Sequence, residues 1–342
     1  MQAALITGAN RLELQEFPYP TPEAGGVVVE IGYCGICGTD VHAYGSGRPY
    51  PPAVCGHEWM GVVSAVSRGI RRLSEGDRVV VAVPPACREC VHCHQGREDQ
   101  CRSVRSVATG RDPQAPAHGG FAPAIGVSAE RVVLAEPALS DVEAAQVEPT
   151  TISVHAVRRS GAGPGDLVVI QGAGPIGLSV LQVAKANGVD EVLVVEPNED
   201  RRALARELGA DLVATPETAS EVVLDHTRGL GADVVIECAG LVDTVQSGID
   251  FCRSGGTMCL VGIADGPVPI IPRELIAREV TLVSALAYLH EEFRMAMELI
   301  ADGHVRLQQL HSSTIGLGDL PTVIERLAGG SAETKVLVDP SL

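Results

Sequence analysis

From Gly165 onward, short apolar runs alternate with helical stretches. The run DLVVIQGAGPIGLSVLQVAKANG combines a buried strand, a glycine turn and a helix, and EVLVVEPNEDRRALARELGA repeats that pattern. Two later runs, GADVVIECAG and GGTMCLVGIA, each begin a strand that ends in glycine. Strands that alternate with helices pair in parallel, and the helices cover both faces of the sheet. The sequence therefore predicts an α/β fold whose doubly wound parallel sheet occupies this part of the chain.

The first 150 residues have a different character. Short β-rich runs such as GVVVEIGY, MGVVSAVS and DRVVVAV are separated by proline and glycine, which indicates a mostly β domain. A chain of 342 residues is longer than a single hydrophobic core usually supports, so two domains are expected. After about residue 290 a helix, a short β-like segment and the strand ETKVLVD no longer continue the strand–helix alternation. We expect residues 1–150 and 291–342 to form one domain and residues 151–290 to form the other.

Charge and hydropathy exclude several classes of partner. The formal net charge is −17 and no basic run is present, which argues against nucleic acid. No apolar stretch is long enough to span a membrane, and the N-terminal MQAALITGANRLELQEF predicts a strand and a turn rather than a cleavable signal. We therefore expect a cytoplasmic protein without membrane contact. Its ten cysteines are then expected to be metal ligands or buried small side chains rather than disulfides.

One short run, CRECVHCHQGREDQC, predicts a structural zinc site. Its spacing allows a single tetrahedral ion to collect four thiolates from one loop. A closed shell of four sulfurs leaves no coordination position for a substrate, so any chemistry must lie elsewhere. The four cysteines are Cys87, Cys90, Cys93 and Cys101.

A glycine motif predicts a dinucleotide site. Gly172, Gly174 and Gly177 follow the strand LVVIQ and open a helix near Ile176. The first glycine makes the turn, the second lets a pyrophosphate approach the backbone, and the third lets helix and strand pack closely. Glu196 lies 19 positions beyond Gly177 at the end of the next strand, where a carboxylate accepts hydrogen bonds from a ribose 2′-hydroxyl. Because it would repel a 2′-phosphate, NAD is predicted rather than NADP.

Other residues are expected around the same crevice. Ligands in such sheets bind at the carboxyl ends of strands, which here are Cys238 to Gly240 and Val261 to Ala264. Arg201 either contacts the adenine or ribose or is a solvated helix residue, and the sequence leaves both open. The candidate cofactor-binding residues are Gly172, Gly174, Pro175, Ile176, Gly177, Glu196, Arg201, Cys238, Val261, Gly262 and Ile263.

A second, open metal site is suggested by three turns. Cys37 lies in the glycine-rich GYCGICGTD, His57 and Glu58 lie in a second turn, and Glu148 begins a third. A thiolate, an imidazole and a carboxylate suit zinc, and three protein ligands leave a fourth position for water or an alcohol oxygen. These residues have no diagnostic spacing, and taken singly each is more often structural.

The order of the motifs changes that assessment. CGICGTDVH, GHE, the four-cysteine lobe, GGFA, VEP and GAGPIG follow one another as in the zinc-dependent medium-chain dehydrogenases, which the chain resembles nearly end to end. It is most similar to the polyol branch of sorbitol, butanediol and threonine dehydrogenases. There a glutamate, matched by Glu148, replaces the second cysteine ligand of simple alcohol dehydrogenases. The resemblance implies a GroES-like, mostly β catalytic domain and a Rossmann NAD-binding domain.

The same resemblance implies catalytic roles. Cys37, His57 and Glu148 match the ligands of the catalytic zinc, while Glu58 either joins them when water leaves or stays outside the ligand shell. Thr39 and His42 match a proton relay. Such a relay makes physical sense, because zinc acidifies an alcohol and the released proton needs hydroxyl and imidazole groups to reach bulk water.

The implied activity is reversible, NAD-dependent oxidation of a secondary alcohol to a ketone. The resemblance also implies that each chain binds two zinc ions and that the protein forms a homotetramer or homodimer. The substrate is expected to be a polyol, diol, aminocyclitol or β-hydroxy amino acid. The substrate pocket is expected to include four aromatic side chains, whose identity does not reveal which alcohol binds. These are Tyr44, Trp59, Phe121 and Tyr288.

Two other functions are compatible with parts of the sequence. A quinone or enoyl reductase of the same superfamily would lack the Cys37 thiolate and the four-cysteine lobe. A non-catalytic, zinc-stabilised NAD sensor is compatible with a Rossmann fold, which by itself implies no activity. A complete metal shell together with a proton relay argues against that sensor.

Overall fold

The computed structural model describes residues 1–112 and 114–342 and divides them into two compact units. The first unit contains Met1–Glu148, Ala287–Ala301 and His311–Leu342. The second contains Pro149–Leu286 and Asp302–Leu310.

Residues 302–310 lie in the second unit, whereas the sequence analysis groups them with the first. Hydrogen bonds explain the difference. The backbone N–H of Arg306 donates to Oε1 of Gln182 at 2.8 Å, and the Arg306 guanidinium donates to the carbonyl oxygen of Glu207 at 2.7 Å. Val305 and Leu307 are buried, so apolar packing accompanies these bonds.

The elements of the described residues are numbered in chain order. The strands are β1 (Gln2–Gly8), β2 (Arg11–Glu16), β3 (Gly26–Gly35), β4 (Glu58–Val66), β5 (Arg78–Val81), β6 (Ala124–Ser128), β7 (Val132–Leu134), β8 (Leu167–Gln171), β9 (Glu191–Val195), β10 (Leu212–Ala214), β11 (Ala232–Glu237), β12 (Cys252–Leu260), β13 (Thr281–Ser284), β14 (His311–Gly316) and β15 (Lys335–Asp339). The helices are α1 (Gly38–Ser46), α2 (Val91–His94), α3 (Arg102–Ala108), α4 (Asp141–Ala144), α5 (Val147–Ser160), α6 (Pro175–Ala186), α7 (Glu199–Glu207), α8 (Ala219–His226), α9 (Val242–Phe251), α10 (Pro272–Arg278), α11 (His290–Ala301) and α12 (Leu320–Ala328). No helix among them is long and apolar enough to cross a bilayer.

The first unit is mostly β, as predicted. Its main sheet has the order β14-β15-β3-β4-β5-β7, β6 also pairs with β3, and the β1–β2 hairpin stands apart. Register sets the position of the candidate metal ligands: Gly35 at the end of β3 pairs with Glu58 at the start of β4, and also with Leu337 in β15. The chain leaving β3 therefore runs beside the chain entering β4 and beside the start of β15.

Helix α12 was not anticipated from the sequence, which predicted only a short β-like segment and a final strand in this region. Strands β14 and β15 pair in parallel, and parallel neighbours require a crossover connection. Helix α12 forms this crossover. Its apolar residues at i, i+3, i+4 and i+7 form a stripe that faces the core. The stripe consists of Leu320, Val323, Ile324 and Leu327.

The second unit contains the parallel sheet. Its strand order is β10-β9-β8-β11-β12-β13, and every pairing in it is parallel. Every residue of β8 is buried, because helices cover both faces. The order reverses between β8 and β11, and ligands bind at such a switch point, outside the carboxyl ends of the strands. The predicted α/β fold class is confirmed.

Candidate active site and cofactor site

The four cysteines of the lobe are brought together. The Sγ atoms of Cys90 and Cys93 are 3.6 Å apart, those of Cys87 and Cys101 are 3.6 Å apart, and those of Cys87 and Cys93 are 4.0 Å apart. A tetrahedron with zinc–sulfur bonds of about 2.3 Å has sulfur–sulfur edges of about 3.8 Å. The four thiols therefore have the spacing that one zinc ion requires.

Two short helices stabilise the thiolates of this lobe. Helix α2 begins directly after Cys90 and α3 directly after Cys101, so each sulfur lies near backbone N–H groups. Backbone hydrogen bonds from Arg102 and Cys93 lower the pKa of Cys90 to about 6. The backbone N–H of Cys87 donates to Sγ of Cys101 at 3.3 Å. The turns at Cys90 and Cys101 are thus organised to hold anionic sulfur, which is the form that binds metal.

A second group of donors lies at the junction of β3 and β4. Ligand atoms of Cys37, His57 and Glu58 all lie within 4.8 Å of one another. Cys37 immediately precedes α1, and His57 immediately precedes β4. Gly56 has a φ of +71°, and a Cβ there would lie 2.7 Å from the Phe121 ring, so the turn that carries His57 needs glycine.

The His57 ring is oriented for metal binding. Its Nδ1 lies 2.8 Å from the carbonyl oxygen of Val54, so Nδ1 carries a proton and Nε2 is the nitrogen that can bind a metal. Burial lowers the pKa of His57, but the neighbouring negative charges of Cys37, Asp40 and Glu148 raise that pKa well above its usual value. This concentration of negative charge around one imidazole would be balanced by a divalent cation. Thiolate, imidazole and carboxylate groups are all common zinc ligands.

Asp40 ties the two ligand turns together, a role that the sequence analysis did not assign. It is fully buried, and its carboxylate accepts the backbone N–H of Cys37 at 3.0 Å and that of Gly56 at 3.2 Å. The Tyr50 hydroxyl donates to it at 2.8 Å. The available signal is the spacing of Cys37 and Asp40, since an acidic residue three positions after a helix cap reaches back to the backbone of the cap.

Lys335 was also missed, and it contacts Glu58. Its Nζ lies 2.6 Å from Oε2 of Glu58 and donates to the carbonyl oxygen of Ile36 at 3.1 Å. The two side chains are 2% and 1% exposed, so this is a fully buried ion pair. Lys335 is one of only two lysines in the chain and the first residue of β15, where a charge in an apolar strand could have signalled it.

Glu148 lies beside the group of three rather than inside it. It is in the first turn of α5, close enough for the positive charges of His57 and Lys335 to act on its carboxylate. Burial raises the pKa of Glu148 to about 7, and the positive charges of His57 and Lys335 oppose that rise. The structure therefore assembles Cys37, His57 and Glu58 tightly, with Glu148 as a fourth donor nearby.

The two residues of the expected proton relay share one face of α1. Thr39 and His42 are three positions apart, and residues at that spacing are neighbours on a helix. The Thr39 hydroxyl lies 3.5 Å from the Tyr50 hydroxyl, which in turn donates to Asp40. Tyr50 is therefore a further polar group beside the relay that sequence reasoning did not find.

The glycine motif has the geometry expected of a pyrophosphate turn. Gly172 has a φ of +96°, which favours glycine, and a Cβ at Gly177 would overlap the carbonyl oxygen of Gly172. Gly174 faces open space, since a Cβ added there would have no atom within 4 Å. Pro175 and Ile176 begin α6, directly after Gly174. The turn, the close packing and the open backbone approach thus fall on the three predicted glycines.

Glu196 stands at the end of β9 and is nearly buried. Its carboxylate accepts the backbone N–H of Ala173 at 2.8 Å and that of Asn198 at 3.0 Å. Each carboxylate oxygen has two acceptor sites, so both can still accept a ribose hydroxyl. The Asn198 side chain accepts the N–H of Arg201 and caps α7, which places Arg201 in the first turn of that helix.

The remaining cofactor candidates lie at strand ends. The N–H of Cys238 donates to the carbonyl oxygen of Gln171, and those of Val261 and Gly262 donate to the carbonyl oxygen of Glu237. Ile263 is 50% exposed.

Glu237, which the sequence analysis did not single out, holds this region. It is fully buried, and its carboxylate accepts the N–H groups of Ala239 and Gly240 and the Thr244 hydroxyl, each at 2.8 Å. The carboxylate thereby fixes the loop that leaves β11 at the switch point of the sheet.

The expected pocket residues Tyr44, Trp59, Phe121 and Tyr288 are all buried. Trp59 and Phe121 pack in the core of the first unit, and the Phe121 ring lies against Gly56 in the turn that carries His57. Their large rings therefore support the ligand turns from within the core.

Comparison with known proteins matches both parts of the chain. Residues 23–137 match the model described as alcohol dehydrogenase GroES-like domain, and residues 175–302 match the model described as zinc-binding dehydrogenase. The matched ranges include Cys37, His57 and the four-cysteine lobe in the first case and most of the parallel sheet in the second.

Full-length relatives agree with these matches. The chain is 35% identical to 2-dehydro-3-deoxy-L-galactonate 5-dehydrogenase of Pseudoalteromonas atlantica, over 99% of this chain and 98% of the relative. It is 32% identical to sorbitol dehydrogenase of Arabidopsis thaliana, over 98% of this chain and 94% of the relative. A solved structure from Sinorhizobium meliloti 1021 bound to NADP is 30% identical and covers 99% of each chain with a TM-score of 0.86.

Proposed function

The chain belongs to the zinc-dependent medium-chain dehydrogenases, and we propose that it oxidises a secondary alcohol of a small polyol or hydroxy acid with NAD as the hydride acceptor. The observation that carries this proposal is the close group of Cys37, His57 and Glu58, with Glu148 beside it. Membership of this family implies that the chain binds zinc and a nicotinamide cofactor. The ligand set, the number of zinc ions and the choice of NAD are proposals.

Zinc is held by Cys37, His57 and Glu148 in this proposal. When bound there, it acts as a Lewis acid that makes the substrate hydroxyl more acidic. Glu58 is closer to the other two donors, but its carboxylate is neutralised by the buried ammonium of Lys335 at 2.6 Å. That ion pair supports Glu148 as the third ligand and a position outside the shell for Glu58.

The substrate's proton leaves along α1. The Thr39 hydroxyl is the first group of the relay and can accept a proton while passing its own onward, and the His42 imidazole is the second. Asp40 keeps α1 and the His57 turn in a fixed relation through its three hydrogen bonds. The relay is therefore anchored to the same backbone as the ligands.

The lobe of Cys87, Cys90, Cys93 and Cys101 holds a second zinc ion with a structural role. Sulfur–sulfur distances of 3.6 to 4.0 Å and low exposure of Cys101 support this assignment. The expected content is two zinc ions per chain, measured by metal analysis of protein purified without chelator. A reproducible value near one, with the lobe metal-free, would contradict the structural site.

NAD is preferred because Glu196 presents a buried carboxylate at the end of β9, where a 2′-phosphate would be repelled. Replacing Glu196 with Ser and Pro197 with Arg is expected to raise kcat/KM for NADP relative to NAD. The matched control is Pro197→Arg alone, which leaves the carboxylate in place. Wild-type protein that already prefers NADP would overturn the assignment.

The overall function is tested by NAD reduction with a panel of diols, sugar alcohols, aminocyclitols, sugar acids and β-hydroxy amino acids. At least one secondary alcohol is expected to be oxidised by the wild type and not by His57→Ala. Size-exclusion chromatography of the same preparation checks the proposed homotetramer or homodimer. Protein that binds NADH and zinc but oxidises no member of the panel would instead support a non-catalytic sensor.

A further inference from the structure

Tyr50 is a partly buried tyrosine that packs against the core of the first unit, just before the turn that carries His57. We propose that Tyr50 is a positioning residue that acts through Asp40 and holds the turns of Cys37 and His57 at the spacing that binds metal. The inference rests on the proposed role of Cys37 and His57 as zinc ligands. It adds a side chain that does not itself bind the metal.

The Tyr50 hydroxyl has two acceptors within reach. It lies 2.8 Å from Oδ1 of Asp40 and 3.3 Å from the carbonyl oxygen of Val54. A phenolic hydroxyl has a single proton, and hydrogen bonds to ionised acceptors are shorter and stronger than those to neutral ones. The proton is therefore directed to the Asp40 carboxylate, and the Val54 carbonyl is a weaker second acceptor.

Asp40 connects this contact to both ligand turns. Its Oδ2 accepts the backbone N–H of Cys37 at 3.0 Å. Its Oδ1, the oxygen to which Tyr50 donates, also accepts the backbone N–H of Gly56 at 3.2 Å. Two of the three donors are thus the turns themselves, and the Tyr50 hydroxyl is the third. Because the carboxylate is fully buried, it depends on these bonds, and the Tyr50 donor fixes its orientation relative to the turns.

The segment between Tyr50 and His57 is stiff. Pro51 and Pro52 each fix a backbone φ, and the N–H of Val54 donates to the carbonyl oxygen of Pro51 at 3.1 Å. The carbonyl oxygen of Val54 in turn lies 2.8 Å from Nδ1 of His57. The Tyr50 hydroxyl therefore lies against the same carbonyl group that orients the His57 ring.

The experiment titrates zinc-loaded protein with a chelator and compares Tyr50→Phe with wild type. His57→Ala shows which step of zinc release belongs to the open site. We expect Tyr50→Phe to weaken zinc at that step by about 10- to 100-fold, the usual effect of removing a group that orients metal ligands. Release from the four-cysteine lobe should be unchanged. Phe keeps the ring packed against the core, so the variant should fold.

Tyr33→Phe is the matched control, since Tyr33 is a partly buried tyrosine of β3 in the same unit. It should leave both release steps unchanged. Equal weakening by Tyr33→Phe and Tyr50→Phe would overturn the inference, because loss of any tyrosine hydroxyl from this unit would then explain the effect.

Asp40→Asn tests the route of the effect, because residues that act through one another give non-additive losses. Combined with Tyr50→Phe, it should bind zinc no more weakly than Asp40→Asn alone. Losses that add would mean that Tyr50 acts by another path, which contradicts the inference. If Asp40→Asn does not fold, Tyr50→Phe and its control decide the matter by themselves.

Cobalt(II) bound in place of zinc separates positioning from general stability, since its visible absorption reports coordination geometry. Subtracting the spectrum of the His57→Ala form isolates the open site. This difference spectrum should change in Tyr50→Phe and not in Tyr33→Phe. A Tyr50→Phe protein that unfolds at a lower temperature but keeps the wild-type spectrum would have lost only stability, and the inference would be wrong.

The outcomes for His57→Ala separate the inference from the proposed function. If His57→Ala loses the zinc of the open site and Tyr50→Phe does not weaken it, the inference is wrong and the proposed ligands stand. If His57→Ala binds both zinc ions as tightly as wild type, His57 is not a ligand, and both the inference and the proposed ligand set are wrong.

Discussion

The two candidate metal sites of the first unit are built in opposite ways. The four thiols of the lobe come from residues 87–101 and are organised by two short helices, one within that segment and one directly after it. Cys37, His57 and Glu58 come from the ends of two paired strands, and Glu58 is held by Lys335 from 277 positions away. A local site can organise its own loop around the metal, whereas the distributed site depends on the whole unit. We therefore expect loss of metal from the lobe to affect stability and loss of metal from the distributed site to affect activity.

The largest effect is expected from His57→Ala. Lewis-acid stabilisation by a metal is worth several kcal/mol, so kcat/KM should fall about 100- to 10,000-fold. The unfolding temperature should change little, because His57 is not part of the closed site. Kinetics with the best alcohol of the panel and zinc analysis check both expectations, with exposed His94→Ala in the lobe as the control. A large loss of stability with retained activity would mean that the two sites are interchanged.

Lys335→Met tests how strongly the fold holds the distributed site. It leaves the fully buried Glu58 carboxylate without its cation, which typically costs about 3–5 kcal/mol of unfolding free energy. The second lysine is a built-in control: Lys185 pairs with Asp211 at 2.6 Å at the surface, so Lys185→Met should cost no more than about 1 kcal/mol. Denaturant unfolding measures both. Adding Glu58→Gln to Lys335→Met should recover part of the loss, and equal costs for the two lysines would contradict the buried pair.

Cys101→Ser tests the local site. A metal present at 1,000 times its dissociation constant stabilises a folded protein by about 4 kcal/mol, and that contribution is lost with the ligand. The variant should therefore unfold at a lower temperature, while the molecules that remain folded keep most of their activity. Cys252→Ser, a buried thiol outside both groups, is the control. Equal losses of activity and stability would mean that the lobe is not independent of the catalytic centre.

The smallest effect is expected from His42→Ala. Without the imidazole, alcohol oxidation below neutral pH should slow by about 10- to 1,000-fold, since water is a poor proton acceptor there. Added imidazole should restore part of the rate, and NAD binding should be nearly unchanged. Rates measured across pH with and without buffer base check this. An unaltered pH–rate profile would remove His42 from the mechanism and leave the proton to depart by another route.

Much of this arrangement was accessible from the sequence because its signals are local. The glycines at 172, 174 and 177 mark one turn, and the structure gives Gly172 the positive φ and Gly177 the close packing that the motif requires. The four cysteines lie in one loop whose spacing matches a tetrahedral ion. The alternation of apolar strands and helices predicted the parallel sheet. The reason is the same in each case: nearby residues in the chain are necessarily near in space.

Only the tertiary structure determined which groups surround the distributed site. Asp40 and Lys335 have no spacing that links them to His57 or Glu148, and strand register brings Lys335 to Glu58 across most of the chain. Burial then changes the chemistry of the assembled groups, since charges removed from water act strongly on one another and need partners. The sequence by itself determined the fold class, the glycine turn and the grouping of the four cysteines. The long-range packing of the first unit decided that the Glu58 carboxylate is paired with lysine and that Glu148 lies beside the group of Cys37, His57 and Glu58.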